Sequence, residues 1–235
     1  MWKIIVGVLV SVQGFSLVSL PVSGARYIGM GGAFFSISDE PYSIFFNPAN
    51  LSSVSSYKMS FSYTSGDRFY DSIGFVVPNV KKGSLGIGAL RSSNKALYFS
   101  YGRKVKDKLS VGGSFKLLKS SDNKRRGIGL DSSLYYPLKP NISLSLILSN
   151  FFRDDMGFGG GVSFSYKKYL FSFDIKNKKK TTFHFGLETK RRNVFMRCGF
   201  DENSPSIGIG GIISGVNVDL AISHSSIVFS FGFTY

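Results

Sequence analysis

Few residues in this chain have the chemistry to react, and their spacing limits what they could do. The 235 residues contain two histidines. His224-Ser225-Ser226 places an imidazole two residues from a hydroxyl. On one strand face such a pair could deprotonate the serine for nucleophilic hydrolysis. No acidic residue stands nearby to orient the ring, and the tripeptide reads equally well as a hairpin turn. His184 precedes Glu188 by four residues, so on a strand both point the same way. One imidazole and one carboxylate make a polar pair, whereas a metal site needs more ligands. Cys198 is the single cysteine, which excludes an intramolecular disulfide and a cysteine-based metal site. Set in an apolar stretch, it reads as a small hydrophobe. Gly86-Ile87-Gly88 and Gly208-Ile209-Gly210 have no helix after them, so they are not nucleotide loops. These patterns predict no catalytic residue, no metal and no cofactor.

The other candidate residues are charges on the small, polar side of alternating segments: Lys58, Lys116, Asp131, Asp174, His184, Glu188, Arg197 and Asp219. Both signs are present. In a low-dielectric interior they should pair with one another or with a segment packed inside. The net charge of +15 comes largely from short clusters, at 81–82, 103–108, 124–126, 176–180 and 190–192. Apolar alternating segments separate these clusters, with no recognition helix or aromatic-basic platform, so nucleic acid is not an expected partner. The clusters read as solvated turns that could also meet anionic lipid headgroups or lipopolysaccharide phosphates.

The elements that carry these residues alternate with period two. Phe183, Phe185 and Leu187 point one way, and His184, Gly186 and Glu188 the other. Tyr57, Met59, Phe61 and Tyr63 oppose Lys58, Ser60 and Ser62, and Ile142, Leu144, Leu146 and Leu148 oppose Ser143, Ser145 and Ser149. About fourteen such blocks run from residue 57 to residue 235, most of them about nine to eleven residues long, the span a tilted strand needs to cross a bilayer. The Gly-rich blocks at 84–91 and 206–213 alternate weakly, and losing one hairpin would leave twelve. Aromatics are 15% and charged residues only 18%. The apolar face is almost uniformly Phe, Tyr, Leu, Ile and Val. The other face, Ser, Gly and Thr with scattered charges, is too polar for a sandwich core. Tyr57, Tyr70, Tyr101, Tyr135, Tyr136, Tyr166, Tyr169 and Tyr235 fall at block ends, as an interfacial girdle would. The expected fold is all-β: a transmembrane antiparallel β-barrel.

The start of the chain reads as an address. Lys3 gives a positive n-region, Ile4 to Val12 an apolar h-region, and Val22-Ser23-Gly24 a small-residue cleavage site. The apolar run is too short for a membrane helix. A membrane-integral reading therefore requires a closed barrel, whose backbone polar groups are all paired. The expected division is a signal peptide at 1–24, a plug segment at 25–56 and a barrel at 57–235. The last strand carries Phe229, Phe231, Phe233 and Tyr235 on one face and ends on the aromatic. It resembles the C-terminal strands by which the barrel-assembly machinery recognises bacterial outer-membrane proteins.

Residues 24 to 53 are too apolar for a free tail and too irregular for a strand, which suits a segment folded inside or under the barrel. Gly29 to Gly32 fits close backbone packing. Ser38 or Asp39 can cap a short helix from Pro41 to Phe46, which Asn47-Pro48 ends. Gly24-Ala25-Arg26, Gly29-Met30-Gly31-Gly32-Ala33-Phe34, Asp39, Pro41, Asn47-Pro48-Ala49 and Leu51 resemble the N-terminus of the PorV/PorQ family, relatives of the FadL-type channels for hydrophobic compounds. Glu40, Ser38 and Asn50 depart from that pattern. The resemblance implies a fourteen-stranded barrel in the bacterial outer membrane with an internal plug. It implies either passage of hydrophobic small molecules or service to protein secretion and surface attachment. The alternatives are a general diffusion porin or a purely structural protein. The His224/Ser226 spacing resembles that of outer-membrane lipid A deacylases, which makes a lipid hydrolase a remote alternative.

Overall fold

The computed structural model describes residues 24–38, 40–66, 70–120, 126–151, 156–202, 204–224 and 226–235. The expected signal peptide and Asp39 lie outside them, apart from Gly24. Fourteen strands follow in order: β1 (Lys58–Gly66), β2 (Tyr70–Val80), β3 (Gly83–Arg91), β4 (Lys95–Lys106), β5 (Leu109–Lys119), β6 (Arg126–Lys139), β7 (Ile142–Ser149), β8 (Gly157–Tyr166), β9 (Tyr169–Asn177), β10 (Thr181–Arg191), β11 (Val194–Asp201), β12 (Ser204–Ile213), β13 (Val216–Ser223) and β14 (Ser226–Thr234). Each pairs antiparallel with its sequence neighbours, and β14 closes on β1. The fourteen-strand expectation holds, and the two doubtful Gly-rich blocks are full members, as β3 and β12.

Period two decides which face looks out. Phe61, Phe75, Ile87, Phe99, Phe115, Leu130, Leu146, Phe171, Phe185 and Phe231 are exposed, while Ser60, Ser62, Ser72, Ser100, Ser114, Ser133, Ser145, Ser172 and Ser230 are buried. A continuous apolar outside is unfit for water and matches bilayer hydrocarbon. At the seam Met59, Phe61 and Tyr63 stand opposite Phe233, Phe231 and Phe229. Such cross-strand pairs contribute about 0.2–1 kcal/mol each. The ladder continues past the strands, because Tyr57 N donates to Tyr235 O (3.1 Å) and Tyr235 N to Tyr57 O (2.9 Å). Two of the tyrosines expected in the girdle turn inward. Tyr135 alternates with the exposed Leu134 and Tyr136 and is buried, and Tyr70 stands opposite buried Thr64.

The two ends of the barrel differ. On the side of Tyr57 and Tyr235 all six connections between strands are two residues long, at 81–82, 107–108, 140–141, 167–168, 192–193 and 214–215. Lys81 and Lys82 (φ 47° and 67°) and Ser214 and Gly215 (φ 50° and 82°) take the left-handed conformations of type I′ hairpins. Connections at the other end reach seven residues, at 150–156.

Residues 24–38 and 40–54 pack inside the barrel. Helix α1 (Ala25–Gly29) is followed by a reversal at Gly31 and Gly32, whose φ values are +61° and +76°. Helix α2 (Ser43–Phe46) is a single turn, and a 3-10 helix spans Pro48–Ser53. The expected helix at 41–46 is shorter, and no side chain caps it. Instead Ser38 Oγ accepts from Tyr135 Oη at 3.2 Å. The 3-10 helix was not expected. Asn47, extended before Pro48, caps it by accepting from Ala49 N at 3.1 Å, with proline in the first turn where no N–H is needed.

Candidate functional site

The plug is fastened all round the wall by groups that the inward parity presents. Ser230 Oγ accepts from Ala25 N (2.7 Å), and Ser133 Oγ from Ala49 N (2.9 Å). Ser84, Ser100 and Ser163 donate to the carbonyls of Val54, Ile44 and Ser36 at 3.0, 2.8 and 3.0 Å. Asp174 Oδ2 accepts from the backbone N–H of both Phe34 (2.6 Å) and Phe35 (2.8 Å). Asn47 Nδ2 and Asn50 Nδ2 both donate to Phe35 O, at 2.8 and 2.9 Å, and Asn50 also to Ile37 O at 2.9 Å. The irregular backbone is thus satisfied by side chains, as a buried loop requires.

Gly31 shows how close the fit is. A Cβ there would lie 2.3 Å from Phe200 N and 2.6 Å from Phe185 O, so the plug backbone rests directly on β10 and β11. Between plug and wall, Met30, Phe34, Ile37, Ile44, Phe45 and Leu51 pack with Val76, Leu90, Ala96, Tyr98 and Leu118 into one buried cluster across the lumen.

A charge network ties α1 to the wall. Glu188 accepts from Arg26 Nε (2.8 Å), Arg26 Nη2 (2.6 Å) and Arg197 Nε (2.6 Å). Arg197 Nη1 reaches Asp219 Oδ1 at 2.5 Å, and Arg26 Nη1 also pairs with Glu40. Burial opposes the charge on Arg26, but Glu40 and Glu188 outweigh it and hold its pKa above the ordinary value. Burial raises the Glu40 carboxyl above the ordinary carboxylate range despite the pull of Arg26. Lys58 borders the same group, in a small polar pocket of about 90 Å³ facing the termini side.

On the opposite side of the plug the lumen opens into a vestibule of about 610 Å³. Its floor is aromatic: Tyr27, Phe35, Phe45 and Phe46, with Tyr98 and Ile147 on the walls. Tyr27 stacks on Phe46 with centroids 4.3 Å apart, and Phe45 meets Tyr98 edge-on at 5.1 Å. Lys176 Nζ donates to Gly32 O at 2.8 Å and lies 5.0 Å from the centre of the Phe35 ring. Lys95 and Lys178 to Lys180 border the vestibule at the barrel end. The ring faces of the floor suit an apolar, planar guest, while the walls above them carry Lys116, Asp131, His184, Asp201 and Glu202.

The charges expected in the lumen all lie on the inward parity, and Lys116, Asp131, Asp174, Glu188, Arg197 and Asp219 bond one another or the plug, as expected; the exception is the pair read at His184 and Glu188. Lys116 Nζ pairs with Asp131 (2.6 Å) and bonds Asn150 (2.5 Å). His184 and Glu188 do not pair, because four residues along a strand is about 13 Å. His184 Nδ1 donates to Gly31 O at 2.9 Å and lies 3.1 Å from Asp201 Oδ1, while its Nε2 bonds Thr182 Oγ1 at 2.9 Å. Lys176, read from sequence as part of a solvated cluster, turns into the lumen instead. The signal was available, since it shares the parity of buried Asp174.

Of the family-motif residues, Gly29, Met30, Gly31, Gly32, Ala33, Pro41, Asn47 and Pro48 are buried in the plug, and Asp39 lies outside the described residues. Phe231, Phe233 and Tyr235 face outward on and just beyond β14. His224 is exposed in the last hairpin, Ser226 Oγ bonds Ser223 Oγ at 3.0 Å, and Ser225 lies outside the described residues. Among the described residues no group of three or more His, Cys, Asp or Glu is placed to hold a metal.

No protein-family model matches the sequence, and no curated protein matches it. Solved structures do. The chain is similar to the Pseudomonas putida toluene transporter TodX, with TM-score 0.75 and 12% identity over 94% of this chain and 99% of that one. The Ralstonia pickettii toluene transporter TbuX superposes with TM-score 0.74 and 14% identity, covering 92% and 99%. The CymD monoaromatic hydrocarbon channel gives 0.68 and 16%, covering 94% and 98%. Across nearly its whole length, this chain has the fold of these hydrocarbon-transport barrels.

Proposed function

We propose that this chain is a non-enzymatic barrel of the bacterial outer membrane that passes small hydrophobic molecules. The observation that carries this reading is the aromatic-floored vestibule, closed below by a plug, in a barrel with the fold of two toluene transporters and a hydrocarbon channel. The vestibule stands at the end with the longer connections, which is the extracellular end in barrels of this type. An apolar guest partitions onto the stacked faces of Tyr27 and Phe46. Because the buried cluster fills the lumen, transit requires part of the plug to shift.

Binding is testable in solution. Apart from Trp2 the chain has no tryptophan, so Phe46→Trp places a reporter in the vestibule floor. Toluene, as the probe, should shift its emission saturably, and a linear response matching that of free tryptophan would remove the site. A diffusion-porin reading predicts large conductance steps in planar bilayers; the filled lumen predicts a silent trace.

A second reading is favoured by the PorV/PorQ-like motif, whose residues build the plug. It makes the barrel an accessory to secretion and surface attachment. It predicts a secretion-system protein that copurifies with the barrel, and purification without one removes its support.

A further inference from the structure

Outside the lumen one arrangement of charge stands apart. Arg91 on β3 is opposite Lys95 on β4, Lys95 is opposite Lys119 on β5, and Lys119 is opposite Arg126 on β6. Four cations thus form one lateral row on four adjacent strands, spanning about 15 Å at the usual strand spacing. Their parity is that of Ile87, Leu97, Leu117 and Ile128, so they stem from the outer face. Lys95, at the rim, also borders the vestibule. Like charges directly opposite across strands repel. Asp71 answers only one end of the row, accepting from Arg91 Nε at 2.9 Å. No carboxylate among the described residues pairs with Lys95, Lys119 or Arg126.

Directly beneath the row, on the bilayer side, lies a groove of about 1070 Å³ with apolar walls that include Tyr63, Leu97, Leu117 and Ile128. It opens where Ala89, a small residue, stands between Ile73 and Leu97. At the other end of the barrel the basic residues lie in the two-residue turns and at strand ends, and no four of them stand opposite one another across adjacent strands.

We propose that the row and the groove form one binding site for a phosphorylated glycolipid of the outer leaflet, of the lipid A class. Its phosphates bridge Lys95, Lys119 and Arg126, and an acyl chain lies against Ala89 and Leu117. The row is wide enough for two phosphates, and charge and apolar surface adjoin in the order that a lipid headgroup and tail require. The site depends on the outer-membrane placement and not on the transport reading. Only Lys95 at the rim and Leu118 border both the groove and the vestibule among the described residues.

The test is native mass spectrometry of the full purified chain. Bisphosphorylated lipid A, its dephosphorylated form, phosphatidylglycerol and inorganic phosphate serve as probes. Bisphosphorylated lipid A should bind tightest. Lys95→Gln/Lys119→Gln/Arg126→Gln should weaken it on the order of a hundredfold, from the contribution of basic residues near anionic headgroups. Ala89→Phe, which fills the groove without changing charge, should weaken it as well, and keeps the question open to test if the triple variant misfolds by gel mobility. A matched control at the other end, Lys81→Gln/Lys82→Gln/Lys168→Gln, should bind like the parent. Equal binding by parent and triple variant would overturn the proposal. So would equal affinity for phosphatidylglycerol, competition by millimolar inorganic phosphate, or an equal loss in the control.

Discussion

Glu188→Gln is the most informative single change, because this carboxylate accepts from two guanidinium groups at once. Its bonds to Arg26 Nε, Arg26 Nη2 and Arg197 Nε measure 2.8, 2.6 and 2.6 Å. The amide is isosteric, so packing is preserved while one negative charge is lost. Arg26 keeps Glu40, and Arg197 keeps Asp219. The side chain of Glu188 is only 7% exposed, so solvent screens little of the loss. Removing one partner of a buried ion pair costs about 3–5 kcal/mol. The loss falls on docking of α1 more than on the barrel, whose ladders are untouched. Hydrogen exchange should therefore show amides of residues 25–35 opening on the order of a hundredfold or more faster, with β4 and β5 unchanged. Arg26→Ala alone should cost at least as much, since Glu188 retains Arg197 but Glu40 loses its ion pair, and the double variant should cost less than the sum of the two. Parent-like protection of the plug, strict additivity, or equal loss of protection around the whole barrel would each refute the network as the plug's fastening.

Three further outcomes follow from the same geometry. Gly31→Ala places a Cβ 2.3 Å from Phe200 N at a φ of +61°, so it should unseat the plug and expose residues 25–38 to protease, while Ala33→Gly should not. Burial pushes the Tyr42 hydroxyl up to about 12, against 10 for a free tyrosine, with the hydroxyls of Ser230 and Ser62 partly offsetting it. A raised folded value means that the stabilisation is intact below pH 10 and lost as pH rises toward 12, worth about 3 kcal/mol. Near-UV circular dichroism should show a plug transition in that window, and Tyr42→Phe should abolish it. Deleting Tyr235 removes both hydrogen bonds to Tyr57 at the seam and the terminal aromatic. Pulse-chase assembly should slow measurably, and a parent-like rate would count against the β14 terminus as an assembly signal.

The barrel was legible in the sequence because each strand solves the same local problem. Phe183, Phe185 and Leu187 must meet hydrocarbon, and their neighbours must not, so parity appears residue by residue. Where alternation looked weakest, the reason is now physical. Gly86 faces Ile44, and a Cβ there would lie 2.5 Å from Ile44 Cγ1; Gly208 faces Gly29, at 3.3 Å from its Cα. The Gly-rich strands are docking places for the plug, which erases the side chains that mark a strand face. The partners of the lumenal charges were not legible, because pairing is set by register across strands and by the plug. Glu188 finds Arg26, 162 residues away, and not His184, four residues away. The vestibule floor was hidden for the same reason: Tyr27 and Phe46 come together only when the segment folds inside a closed wall.

If small hydrophobic molecules cross through the lumen, as proposed, the plug must shift to let them by. Ala49 N lies 2.9 Å from Ser133 Oγ, so Ala49→Cys with Ser133→Cys is within disulfide reach. A Cys198→Ser background removes the native thiol, which lies exposed on the outer face. Uptake of labelled toluene by cells making this variant should fall to the level of cells lacking the protein under oxidising conditions, and recover on reduction. Parent-like uptake with the plug locked would contradict passage through the lumen.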